Sequence, residues 1–305
     1  MPEFDGWQIY YHLNLNAYSI GKLLIPHRWY NNSKITETLI LDGGHKLTQE
    51  KQLNYFESDN FNNLKSIIES SPDGAEHKTE YNYAFDLFSS ANNFLQRYMV
   101  GIPLKTTQWL NNKPISQKNL TYSQNWVGHD MFLPHQQQSV TTNTINTANP
   151  SVQNDLAYTD YDLKGNLLQY YTNDEVPVTV IYGYNQTLPI LKVEGITYQT
   201  LMNLLGMGSN ITGYNNLDIC QKSNVDIDGA SEQLLINALN TVWGTLSNYQ
   251  VTTYTYDPLI GVTSITPPSG IREVYLYDTG GRLKEIREND ATGKLLKEFK
   301  YNYKP

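Results

Sequence analysis

Two periodicities alternate along the chain. Tyrosines and β-branched residues recur at every second position in short stretches, which is the spacing of a strand with one face inward. The clearest stretches, residues 254–257 and 275–278, each precede a turn and a second apolar stretch. A helical period occurs at residues 196–206 and 231–243, and residues 87–100 fit either a helix or a strand. The pattern predicts a mainly β protein built of hairpins, with two or three short helices.

The hairpin pattern is a repeat. After a pair of aromatic residues comes an Asp or Asn, and small or apolar residues then recur three, five and eight positions further on. The most complete unit consists of Tyr275, Tyr277, Asp278, Gly281, Leu283 and Ile286. The offsets recur from Asp59, Asp162, Asn185 and Asp257, and weakly from Asp86. The other motif residues of these units are Tyr161, Gly165, Tyr182, Tyr184, Tyr254 and Tyr256. Such recurrence indicates a structural repeat rather than chance.

Each unit is predicted to contain two strands and two turns. Two tyrosines separated by one residue lie on the same face of a strand. The Asp that follows can accept hydrogen bonds from backbone a few residues downstream and so open a turn. Gly165 and Gly281 supply the positive φ that a tight turn needs. Successive antiparallel hairpins are expected to join into one long curved sheet.

The period divides the chain into five segments. These are N-terminal β-hairpin repeats (1–86), an irregular repeat or insertion (87–155), YD-type repeats (156–194), an insertion with short helices (195–250) and C-terminal YD repeats (251–305). The pattern predicts further strands at 9–15 and 36–41, a turn at 42–44, and a hairpin over 109–122. The predicted helix at 231–243 carries an apolar face made of Leu234, Leu235, Ala238, Leu239, Val242 and Trp243.

Composition excludes several classes of protein. The chain has 24 Tyr against 8 Phe, its hydrophobic fraction is 39%, and it is therefore too rich in large side chains for intrinsic disorder. The net charge of −8 argues against a general nucleic-acid binder, which needs basic residues to neutralise phosphates. The sequence contains no run of about 20 apolar residues, so it predicts no membrane-spanning helix.

The sequence carries no credible catalytic or metal site. The single cysteine, Cys220, excludes an intramolecular disulfide and a cysteine-ligated zinc site, and a partly buried thiol is the simplest interpretation. His129 and His135 are interpreted as polar surface, and residues 224–229 resemble only half of a calcium loop. Asp160 and Asp162 could line a cleft, but the repeat already explains Asp162. We expect no enzyme activity, no cofactor and no bound metal.

The motifs at 254–257 and 275–286 resemble the RHS/YD-repeat family, in particular the versions found in Bacteroidetes-type bacteria. The resemblance is most specific over residues 250–303 and extends more weakly through Asp59, Asp162 and Asn185. It implies a β-hairpin strip of the kind that winds into a hollow shell, often around a C-terminal toxin. The chain has too few repeats to close such a shell and carries no variable C-terminal domain, so we expect the C-terminal fragment of a repeat protein.

The resemblance implies a non-enzymatic structural segment of an exported protein. Such proteins are secreted or lie at the cell surface and serve in bacterial competition, toxin delivery or adhesion. The expected partners are the remaining repeats of a larger shell, or other copies of the chain paired through sheet edges. The alternative is a surface module in which exposed tyrosine ladders bind carbohydrate or protein, because aromatic faces suit the apolar faces of sugars.

Overall fold

The computed structural model describes residues 34–40, 46–56, 62–88, 93–208 and 213–301. The predicted strand at 9–15, the predicted turn at 42–44 and the repeat anchor Asp59 lie outside these residues. Everything below concerns the described part of the chain.

Neighbouring strands in the sheet are also neighbours along the chain. They are β1 (Lys34–Ile40), β2 (Lys46–Tyr55), β3 (Leu64–Ser70), β4 (Glu76–Asn82), β5 (Lys105–Leu110), β6 (Lys113–Ser123), β7 (Leu133–Val140), β8 (Val152–Tyr161), β9 (Leu167–Thr172), β10 (Pro177–Gly183), β11 (Leu188–Glu194), β12 (Gln250–Asp257), β13 (Gly261–Thr266), β14 (Glu273–Tyr277), β15 (Leu283–Glu288) and β16 (Leu295–Glu298).

Most of the helices lie in the two stretches in which the sequence period is interrupted, residues 87–155 and 195–250, and the first helix begins just before residue 87. They are α1 (Ala84–Leu87), α2 (Asn93–Gln96), α3 (Tyr198–Leu204), α4 (Asp218–Asn224) and α5 (Gly229–Thr245). The described residues thus contain five helices where two or three were expected, because α1 and α2 are single turns too short to show a period. None of the described helices is long and apolar enough to cross a membrane.

All sixteen strands form one antiparallel sheet in simple sequential order. Strands make up 46% of the described residues and the sheet they form is not closed, so the predicted mainly β hairpin array is confirmed. The order stays sequential through both interruptions. β11 pairs directly with β12, with Leu191 opposite Thr253, although more than 50 residues of chain separate the two strands. The insertion therefore leaves the ladder intact.

A one-residue bulge recurs where the strands approach one end of the sheet. In β12–β13, Thr255 pairs with Ser264 and Tyr256 pairs with Val262, which leaves Thr263 as an extra residue. Six hairpins share this irregularity, in each case opposite a tyrosine: Tyr55, Tyr122, Tyr161, Tyr182, Tyr256 and Tyr277. Because bulges bend a strand and increase its twist, six aligned bulges give the sheet a consistent curvature.

The principal core lies between β9–β12 and the helical insertion. Side chains of β10 and β11 pack against α3, α4 and α5, and the residues without solvent exposure are Ile181, Ile190, Leu191, Val193, Leu201, Met202, Tyr214, Leu235 and Leu246. A smaller cluster of Ala84, Phe94 and Leu104 lies under the β4–β5 connection. One face of the sheet is thus covered by helices only around β9–β12 within the described residues.

Helix α5 begins at an Asp228 N-cap, whose carboxylate accepts from the backbone N–H of Ala230 and Ser231. The predicted apolar face is confirmed for Leu235 and Leu239, which are buried. Leu234 was wrongly included, since it is 57% exposed. It lies about 100° around the helix from Leu235, which turns it away from the sheet.

Gly183, at the end of β10, permits the close approach of α4 to the sheet. A Cβ at this position would lie 2.2 Å from Ser223 Oγ and 2.8 Å from Ile190 Cγ2. Ser223 is itself fixed, because its hydroxyl donates to the Cys220 carbonyl and accepts from the Tyr184 N–H. Any residue with a Cβ at this position would require α4 to move away from the sheet.

We expect Gly183→Ala to destabilise the protein by about 1–3 kcal/mol, the range for overpacking a core. Equilibrium urea unfolding measures the change. The matched control is Gly244→Ala, because no atom lies within 4 Å of a Cβ there and alanine in a helix interior is favoured by roughly 0.5–1 kcal/mol. Equal effects of the two substitutions would contradict the proposed contact between α4 and the sheet.

Candidate functional site

The aspartate turn of the repeat has the same geometry at two hairpins. The Asp162 Oδ1 accepts from the N–H groups of Lys164 and Asn166, both at 2.8 Å. The Asp278 Oδ1 accepts from the N–H groups of Gly280 and Arg282, at 2.8 and 3.0 Å. Each carboxylate therefore satisfies two backbone donors that the turn would otherwise leave to water.

The glycine of this turn is required by its backbone conformation. Gly165 and Gly281 have φ of +85° and +71°, and each N–H donates to the carbonyl of the turn aspartate. Glycine adopts this region without steric cost. Asp278 gains a further partner in the Arg282 guanidinium, whose Nε lies 2.8 Å from Oδ2.

Two other anchors form different turns. Asp257 accepts from the Leu259 N–H at 2.9 Å, in a shorter turn that returns at Gly261. Asn185 lies in a turn in which Tyr184, Asn185 and Gln186 all have positive φ. Tyr184 therefore lies beyond the end of β10 and does not share a strand face with Tyr182. The common offset pattern in the sequence covers more than one turn geometry.

Tyrosine hydroxyls connect several of the hairpins to the hairpin before. The Tyr277 hydroxyl donates to the Val262 carbonyl at 2.8 Å, and the Tyr256 hydroxyl donates to the Pro189 carbonyl at 2.9 Å. Five described tyrosines make this contact with the preceding hairpin: Tyr83, Tyr161, Tyr256, Tyr277 and Tyr301. Burial raises the pKa of Tyr256 to about 12, so this hydroxyl keeps its proton at neutral pH. We call these contacts the tyrosine cross-links.

Tyr214 attaches the helical insertion to an aspartate turn. Its hydroxyl donates to Asp162 Oδ2 at 2.7 Å, and neither side chain is more than 7% exposed. Burial and then the hydrogen bond to Asp162 raise the pKa of Tyr214, which stays protonated as the donor. The backbone supplies a second attachment, since the Tyr198 N–H donates to Gln169 Oε1 at 2.6 Å.

Tyr184 provides a third attachment for the insertion. Its hydroxyl donates to Asp226 Oδ2 at 2.7 Å and accepts from the Tyr256 N–H at 2.8 Å. Burial raises the pKa of the Asp226 carboxyl, whereas the hydrogen bond from Tyr184 opposes that rise. One phenol thus joins a repeat turn, the α4–α5 connection and β12.

Glu232 fixes α5 to the sheet. Its Oε1 accepts from the hydroxyl of Thr255 at 2.8 Å and also from that of Thr263, on adjacent strands. Thr255 is only 1% exposed, so the contact lies under the helix. Carboxylates of the insertion are therefore used in packing rather than left available for chemistry.

Cys220 and the two acids of the calcium-like segment are engaged in structure. The Cys220 thiol is buried and donates to the Tyr182 carbonyl, and burial raises its pKa to about 12. The two acids of the calcium-like segment are Asp226, which accepts from Tyr184, and Asp228, which caps α5. Among the described residues, no group of three or more His, Cys, Asp or Glu could hold a metal ion.

Two features of this architecture were missed from the sequence. The bulges were not predicted, because the extra residue varies from Lys to Ile to His and only the tyrosine opposite it recurs. The tyrosine cross-links could have been anticipated, since an aromatic hydroxyl stands directly before most turn residues at a fixed position. Asp160 and Asp162, the two acids that could line a cleft, both line one cavity of about 190 Å³.

Comparisons with known proteins give loose structural similarity and nothing at the sequence level. No family model and no curated protein matches the chain. A crystal structure of TcdB2-TccC3-TEV superposes with a TM-score of 0.36 and 14% identity over 88% of this chain and 12% of that one. The Tc holotoxin pore of Photorhabdus luminescens gives a TM-score of 0.28 and 14% identity, over 85% and 15% of the two chains.

A porin-like protein from Bacteroides uniformis gives a TM-score of 0.23 and 10% identity, over 84% of this chain and 82% of that one. The chain spans only about an eighth of the length of the TcdB2-TccC3-TEV chain. All three TM-scores are below 0.5, so function has to be argued from the chain's own geometry.

We expect Tyr277→Phe to cost about 0.5–1.5 kcal/mol of stability, because the cross-link to Val262 is lost while the ring remains. Urea unfolding monitored by circular dichroism measures the cost. Tyr171→Phe is the control, since Tyr171 is half-buried in β9 and its hydroxyl has no hydrogen-bond partner in the described part of the chain. A loss no larger than that of the control would show that the cross-link does not stabilise the sheet.

The Asp278 turn predicts a pH-dependent contribution to stability. Hydrogen bonds from Arg282, first from its side chain and then from its backbone, lower the pKa of Asp278 below 3.8. A carboxyl whose pKa is lower in the folded state stabilises the protein above its unfolded pKa and loses that contribution as pH falls through the folded pKa. Asp278→Asn should therefore lower the urea midpoint near neutral pH, and the difference from wild type should shrink below pH 3.8.

The control for this prediction is Asp174→Asn, in the β9–β10 turn, where the carboxylate makes no hydrogen bond with any described residue. A difference between wild type and Asp278→Asn that stays constant through the acidic range would contradict the ionised turn.

Proposed function

We propose that the chain is a non-enzymatic structural segment of an exported RHS/YD-repeat protein, serving as part of a β-shell or surface scaffold. The observation that carries the proposal is the succession of hairpins in one open sheet, with tyrosine cross-links between neighbours. Each hairpin attached in this way exposes a strand edge of the same kind as the edge with which it is paired. Another hairpin can therefore pair with it. The arrangement suits a wall that grows by adding units.

The use of the repeated acids supports a structural role. Asp162 and Asp278 accept hydrogen bonds from their own turns, and Asp226 and Glu232 hold the insertion. A general acid or base has to reach a substrate, whereas these groups are occupied by the protein itself. The family resemblance of the motifs at 254–286 adds the association with bacterial competition, toxin delivery or adhesion, and a location outside the cytoplasm.

The alternative of a carbohydrate- or protein-binding tyrosine surface receives less support. Hydroxyls that a ligand would need are committed in the tyrosine cross-links. The Tyr254 and Tyr256 rings stack on each other at 6.5 Å, which occupies faces that a sugar would use. These tyrosines contribute to architecture first.

The proposal predicts that the sheet edge associates with other strands. β16 pairs with β15 alone among the described strands, and Leu295 and Leu296 are each 45% exposed on it. Unpaired N–H and C=O groups beside apolar side chains favour pairing with another edge. We expect light scattering to give a mass that rises with concentration above the 34.9 kDa of the monomer.

Leu296→Lys should shift this association towards the monomer, because a charge on an edge strand opposes pairing. Leu204→Lys is the matched control, since Leu204 is 48% exposed on α3, away from the edge. A wild-type chain that remains monomeric at every concentration, or a Leu296→Lys variant that associates as wild type does, would contradict association through β16.

A further inference from the structure

A cavity of about 190 Å³ lies where the β8–β9 turn meets the helical insertion. Asp160 and Asp162 line it, as does Lys164 from the same turn. This space has room for several waters or for a small ligand group. Of the tyrosines that form cross-links, Tyr161 is the one that lines this cavity.

The two carboxylates in this cavity differ in their partners. Asp162 is saturated, since it accepts from its own turn and from the Tyr214 hydroxyl. Asp160 is half-buried at the end of β8, and its carboxylate makes no hydrogen bond or ion pair with any described residue. An unpaired carboxylate facing a partly enclosed space is a site where a cation is favoured.

Lys164 does not neutralise Asp160. Its ammonium donates to the Asn185 carbonyl at 2.5 Å and forms no ion pair with either aspartate. The charged side chains that line the cavity are thus two carboxylates and one ammonium, which leaves a net negative charge. Burial, with smaller contributions from Cys220 and the two aspartates, raises the pKa of Tyr198, which also lines the cavity.

Besides polar residues such as Gln186 and Asn215, the lining contains apolar side chains, some of them exposed. Leu168 is 4% exposed and lies at the inner side, whereas Val127 and Leu163 are 61% and 62% exposed. A bare inorganic ion gains nothing from these side chains. A cation on a short aliphatic stem gains both the carboxylate and the apolar contact.

We propose that this cavity binds an alkylammonium group, with Asp160 pairing the ammonium and Val127, Leu163 and Leu168 contacting the methylene stem. The group belongs either to a lysine side chain of another protein or to a free aliphatic amine, and the chemistry of recognition is the same for both. The inference is independent of the scaffold function, since it rests on one cavity and not on the repeat.

The test is titration of the full chain with n-butylammonium chloride, in which calorimetry or chemical-shift changes measure binding. We expect saturable binding, at least tenfold tighter than that of ammonium chloride or of n-butanol, because each of these lacks one half of the recognised group. Asp160→Asn keeps the side-chain shape and should weaken binding at least tenfold. Asp174→Asn, in the β9–β10 turn at the other end of β9, should leave binding unchanged.

Two peptides distinguish the source of the group. An acetyl-Gly-Lys-Gly-amide peptide that binds as n-butylammonium does, and loses binding when the lysine is Nε-acetylated, identifies a protein partner. Binding of the free amine without the peptide identifies a small aliphatic amine. No saturable binding of n-butylammonium, or equal binding by wild type and Asp160→Asn with the fold intact by circular dichroism, overturns the proposal.

Discussion

The backbone ladder between successive hairpins is the constraint on which the rest of the structure depends. Each strand pairs only with its neighbours in the chain, so every hairpin has to hold the next one in register. Across most of the described sheet no second layer supplies a core, and the free energy of packing is concentrated at β9–β12. The tyrosine cross-links matter because they add a directional contact between hairpins where apolar burial is thin. A phenol suits this position, since its ring covers apolar surface while its hydroxyl satisfies a carbonyl.

The helical insertion solves a related problem. Residues 195–249 leave the sheet after β11 and return to it at β12, so the ladder continues while the excursion covers one face. The attachments of this excursion are polar groups that belong to the repeat. Asp162 closes its own turn and also accepts from Tyr214, and Tyr184 occupies a repeat position and also contacts Asp226. The insertion is therefore fitted to the hairpins beneath it, and the absence of a Cβ at Gly183 shows how close that fit is.

Sequence reasoning succeeded where local chemistry decides structure. Period-two alternation, Asp-to-backbone hydrogen bonds and a positive-φ glycine act within a few residues, so the hairpin array could be predicted. It failed where the outcome depends on contacts distant in sequence. Leu234 has the same residue type as Leu235, and only docking on the sheet decides which of them is buried. Likewise the unpaired state of Asp160 follows from where Lys164 finds its acceptor, which no spacing reveals.

The asymmetry between the two aspartates of the β8–β9 turn illustrates how function and architecture separate in a repeat protein. Asp162 recurs as Asp278 with the same turn geometry, so the fold accounts for it. Asp160 has Leu276 at the corresponding position, two residues before Asp278, and is not part of the repeat. A residue that departs from the repeat, gains no structural partner and faces a cavity has no role in holding the sheet. In a chain whose repeated residues are consumed by architecture, such departures are the places where selection for binding can act.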